Sequence, residues 1–156
     1  MKIVLVIVCY LLSAININLS DVRKLYIQVH NSIDKQHEFV ALLQNVNDST
    51  VELKAYKAVA RIIESKSLKG KQRTDLFRQA TQMLDKAVEE DSTNLEVRLI
   101  RLSVQEHLPK FLNYNKSIND DVQFINANLK KVKDKELRDY INQYMSQSKQ
   151  FKQLQK

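Results

Sequence analysis

One glycine, one proline, one cysteine and no tryptophan occur among the 156 residues of this chain. β-Sandwiches and barrels need turn residues about every 8–12 positions, and phosphate-cradling loops need several glycines. The scarcity of glycine and proline excludes both. A lone cysteine excludes a disulfide framework. Disorder is excluded by an apolar content of 44%, spread evenly along the chain. The length suits one domain that buries its core without metals or disulfides. What remains is an all-α protein, an antiparallel bundle or short solenoid of six or seven helices.

The longest apolar run, Ile3 to Leu12, is too short for a membrane span, which takes about 20 residues. It follows Met1-Lys2 and ends at Ser13-Ala14, the order of a secretory signal peptide. Cleavage is expected after Ala14, and an uncleaved N-terminal anchor is the alternative. Cys9 lies deep in the run behind Val8, which disfavours lipoprotein processing. Removal of residues 1–14 leaves 24 basic against 18 acidic residues, a formal +6, and no cysteine. Residues 15–156 are then a single secreted or periplasmic domain held together by packing alone.

Helical spacing runs through that domain. Val22, Leu25, Tyr26, Val29 and Ile33 form one stripe, and Phe39, Val40, Leu43 and Val46 form the next. Periodicity leaves open whether Asn31-Ser32 separates two helices or lies within one. Ser49 and Glu52 have capping-box spacing, ahead of Ala55, Ala58, Val59, Ile62 and Ile63. Ser65–Lys71 holds the only glycine and is expected to be the least regular connection. Thr74 is expected to open the next helix, whose wide core-facing stripe runs from Leu76 to Val88. Leu95–Leu108 is a helix stopped by Pro109. Further helices follow Ser117 and carry Leu137, Tyr140, Ile141, Tyr144 and Met145.

Ala80, Leu84 and Ala87 have the small-large-small spacing of the second helix of a tetratricopeptide repeat, and ordinary helical packing generates the same spacing. The preceding helix lacks the matching large-Leu-Gly-aromatic positions, so the chain holds at most one degenerate unit. Three segments stand out beside it: Lys54–Ile63, Ala80–Val97 and RLIRLSVQEHLPKFLNY (Arg98–Tyr114). Together they resemble a family of small secreted bacterial helical proteins with tetratricopeptide-like chains. The likeness is strongest from Lys54 to Asp121, and most specific around Arg98, Arg101, Ser103, Gln105, Pro109, Phe111 and Tyr114. It implies a helical fold and an exported compartment, and it carries no activity. Family members place an aromatic, proline-containing stretch between the third and fourth helices. SKSLKGKQRT (Ser65–Thr74) stands there in this chain and departs from that pattern.

Catalytic constellations are nearly absent, with no hydrolase elbow, zinc-protease motif or phosphate loop. His30, Asp34 and His37 would share a face on an uninterrupted helix, but three ligands on a solvated face make a poor metal site. Neither a metal nor another cofactor is expected. The site candidates are Arg98, Arg101 and Gln105, which share one face of a strongly apolar helix, with Tyr114 as an aromatic wall. Two readings stand open. The arginines either fork an anionic group or pair with Glu96, Glu106 or Asp121 to fix a helix–loop contact. Internal pairing of both would remove the anion-binding face.

Charge is unevenly spread. Lys130–Lys156 holds eight basic and three acidic residues, whereas Asp85–Glu96 holds one basic and five acidic. The basic tail fits an anionic envelope polymer or lipid headgroups, or is simply a solvated helix end. A nearly neutral remainder excludes a uniformly basic, nucleic-acid-binding surface. The sequence therefore points to a non-enzymatic, exported helical module for binding or scaffolding, with a protein as its partner. The alternative is an anion-binding envelope protein that uses Arg98, Arg101 and the tail.

Overall fold

The computed structural model describes residues 17–44, 46–47 and 49–154. Residues 1–14, read from the sequence as a signal peptide and including Cys9, lie outside them. Every regular element among the described residues is helical: α1 (Leu19–Gln28), α2 (Ile33–Gln44), α3 (Val51–Ser65), α4 (Gly70–Glu90), α5 (Leu95–His107), α6 (Ile118–Asn128), α7 (Lys135–Gln147) and α8 (Lys149–Gln153). Short 3₁₀ turns at Lys110–Leu112 and Leu129–Lys131 complete them. The all-α helical fold read from the sequence is the fold of the described residues. They form eight α-helices where six or seven were expected, because the chain breaks at Ser32 and again at Ser148.

Local chemistry sets the boundaries. The chain breaks at Ser32, whose hydroxyl accepts from the Lys35 amide at 3.2 Å. Gln36 Nε2 donates to the Val29 carbonyl at 3.1 Å and ties the start of α2 to the end of α1. Ile33 is consequently 61% exposed instead of continuing the first stripe. The break also removes the shared face on which His30, Asp34 and His37 would have met. Thr50, not Ser49, caps α3, accepting from the Leu53 amide at 3.3 Å. Glu52 instead accepts from Asn94 Nδ2 at 2.6 Å and joins α3 to the start of α5.

α4 opens at Gly70, four residues before the expected Thr74. Gly70 has φ +54°, a left-handed conformation that glycine adopts without a steric penalty. A second break falls between α7 and α8. Ser148 caps α8 and seats Phe151 in the core at 2% exposure.

α3 is the hub. It packs most extensively on α4 and also against α2 and α5, while α5 carries α6 and α7 on its other sides. Ala55, Tyr56, Ala58, Ala80 and Leu84 have no exposed surface, which permits close approach of α3 and α4.

Candidate functional site

Three of the four side chains singled out from the sequence meet where α4, α5 and α6 join. Arg98 Nη1 donates to Asp121 Oδ1 at 2.8 Å. Arg101 grips the same carboxylate with Nε and Nη2, both at 2.8 Å. Asp121 has no exposed surface, so the two arginines are its solvation. Arg98 Nε also donates to the Ser92 carbonyl at 2.7 Å, and its guanidinium lies 4.2 Å above the Phe124 ring. Burial works against the charge on Arg101, but the Asp121 bonds outweigh it and raise its pKa.

Tyr114 completes the joint by donating to Asp85 Oδ1 at 2.8 Å. Burial raises the Asp85 carboxyl, opposed by the Tyr114 hydrogen bond and by Arg101. Gln105 does not join them. It is buried deeper along α5, and its Oε1 has no hydrogen-bond partner among the described residues. Both arginines are thus tied to an internal acid, the arrangement set against an anion-binding face. Their donors hold α6 against α5.

A second buried cluster escaped the sequence reading. Arg23, 7% exposed, forks Glu96 through Nε at 2.8 Å and Nη2 at 2.6 Å. The Tyr56 hydroxyl donates to Glu96 Oε1 at 2.8 Å. The hydrogen bond to Glu96 raises the Arg23 pKa further, with burial opposing it.

The larger opening lies at the other end of α5. It is a cavity of about 540 Å³ between the end of α1, the second half of α3, the first turns of α4 and the end of α5. Val59, Ile62, Ile63, Phe77, Val104 and Leu108 supply its apolar wall. Proline chemistry builds the rim. Pro109 cannot continue α5 and holds Leu108 extended at φ −83°, ψ 144°. The 3₁₀ turn that follows ends at Asn113 with φ +52°. Phe111, within that turn, stands 79% exposed at the mouth.

A second cavity of about 290 Å³ shares Tyr26, His30, Ser103 and His107 with the first. His30 and His107 stack at 4.5 Å in this common wall. His107 Nδ1 lies 2.7 Å from the Ser103 carbonyl, so Nδ1 carries the proton. Burial lowers the His30 pKa, and the nearby His107 and Lys66 lower it further. Ser103 donates to the Ile100 carbonyl, so the Tyr26 hydroxyl donates to Ser103. Burial pushes the Tyr26 hydroxyl up to about 12.

Sequence spacing could not reveal this site, because five separate elements contribute to it. The one available signal was Pro109 followed by the apolar pair Phe111-Leu112. No family model, curated protein or solved structure matches this chain.

Proposed function

We propose that this chain is a non-catalytic helical binding module whose binding element is the cavity between α1, α3, α4 and α5. The observation that carries this reading is the cavity itself. Its volume of about 540 Å³ falls in the roughly 300–1,000 Å³ range of small-molecule sites, which are mostly apolar with a few polar groups. An apolar ligand of small-molecule size is favoured over the protein partner expected from the sequence, because the concavity is a partly open pocket lined by five elements and not a broad face. Export through residues 1–14 belongs to the same proposal and rests on their charged, apolar and small-residue order. So does the tetratricopeptide likeness, which the buried Ala80, Leu84 and Ala87 support.

The test is titration with a neutral naphthylamine dye that fluoresces in apolar surroundings. One saturable site is expected in the unaltered chain. Ile63→Trp places a larger side chain in the half-buried cavity wall and is expected to abolish the signal while the helical circular dichroism persists. Non-saturable fluorescence, or the same isotherm in both chains, would refute the assignment.

A further inference from the structure

We infer that the cavity takes a free single-chain amphiphile with one carboxylate head, its tail against α3, α4 and α5 and its head between Lys66 and Arg73. This deepens the binding reading above and rests on it. Three of the polar groups that line the cavity are already bonded to the protein. Ser65 Oγ donates to the Ile62 carbonyl at 2.7 Å, Gln36 Nε2 to Val29, and Tyr26 is engaged with Ser103. An entering tail therefore leaves these three groups paired.

The lining contains no aspartate or glutamate, but it does contain Lys66 and Arg73. They flank the short connection between α3 and α4, both exposed, and neither has an acidic partner among the described residues. Arg23, Arg98 and Arg101 contrast with them, each held by a carboxylate. α4 starts between these two cations with no acid in its first turn and no side-chain cap, so the positive end of its dipole is uncompensated. An apolar chamber with two unengaged cations at its mouth is complementary to one negative head on one apolar tail.

The experiment is calorimetric titration of the full chain, below micellar concentrations, with decanoate, dodecanoate, dodecanol and dodecyltrimethylammonium. Each added methylene is expected to tighten carboxylate binding roughly fourfold until the cavity is full. Dodecanoate is expected to bind at least about tenfold more tightly than dodecanol, from charged hydrogen bonds at the head. Lys66→Gln with Arg73→Gln, both at exposed positions, should erase that preference by weakening dodecanoate about tenfold more than dodecanol.

Equal binding of dodecanol and dodecanoate, a preference for the ammonium, or a preference that survives the double substitution would overturn the anionic head. The binding cavity would stand in each of those cases. If none of the four binds, the cavity reading falls as well. A chain that ignores free dodecanoate but sediments with phosphatidylglycerol vesicles would overturn the proposal in favour of a membrane surface.

Discussion

Asp121→Ala is the sharpest test of how this bundle is held. The carboxylate has no exposed surface and accepts three bonds at 2.8 Å from two guanidinium groups. Those groups are themselves only 15% and 11% exposed at the side chain. Breaking a buried pair by removing one partner costs about 3–5 kcal/mol, because it strands buried charge. Two features place this site near the lower end. Arg98 keeps the Ser92 carbonyl and the Phe124 ring, and Arg101 keeps Asp85 at 3.6 Å. The expected loss is therefore about 3 kcal/mol, read as a lower urea midpoint at unchanged slope. Replacing the whole cluster, with Arg98→Met, Arg101→Met and Asp121→Leu together, should cost less than Asp121→Ala alone. A loss below about 1 kcal/mol for Asp121→Ala, the range of an exposed pair, would refute the reasoning. So would a triple variant that is less stable than the single one.

Two further outcomes follow from the same structure. His30 has its pKa lowered from the ordinary 6.5, chiefly by burial, so the folded chain resists its protonation. As pH falls through the unfolded value, the unfolded chain takes the proton first and stability declines. His30→Phe should flatten that decline in urea midpoints compared between about pH 5 and about pH 7.5, and an unchanged slope would assign the effect elsewhere. Gly70→Ala should lower stability by about 1 kcal/mol, the cost of a left-handed residue with a Cβ. Beyond the adjoining residues and the helix's own backbone, no atom lies within 4 Å of the added methyl, so thermal denaturation reads backbone strain. A variant as stable as the parent would show that Gly70 does not need φ +54°.

The helices were legible in the sequence where an apolar stripe and a terminator coincide. Val97, Leu99, Ile100 and Leu102 have no exposed surface, and α5 ends at His107, two residues before Pro109. Boundaries set by one hydrogen bond were not legible. Ser49 and Thr50 are equally good caps by type, and only the chain's entry angle selects Thr50. Gly70 looked like loop punctuation because its use at a helix start depends on a backbone angle. Arg98 and Arg101 were legible as a paired face, and Asp121 stood among their candidate partners. Arg23 was not, since between Val22 and Lys24 it reads as surface. Its burial depends on Glu96, 73 residues away.

The positions of these groups along α5 explain why a cavity survives in so apolar a bundle. Glu96, Arg98 and Arg101 occupy the first half of α5 and fasten it to α1, α3 and α6 through directional, charge-assisted bonds. Asn94, just before α5, adds its bond to Glu52 of α3. Such buried networks fix register at a cost in desolvation, which only full pairing repays. The second half, Ser103 to His107, carries no ion pair to a neighbouring helix among the described residues, and Glu106 ties it instead to α7 and the start of α8 by accepting from the Tyr144 and Ser148 hydroxyls. This half faces the cavity alongside the α3–α4 connection and the Pro109–Asn113 turn, both irregular. Binding surfaces are drawn from the less strongly held parts of a fold. Ion pairs thus lock the end of α5 away from the cavity, and a ligand seated against Val104 and Leu108 leaves that charged cluster undisturbed.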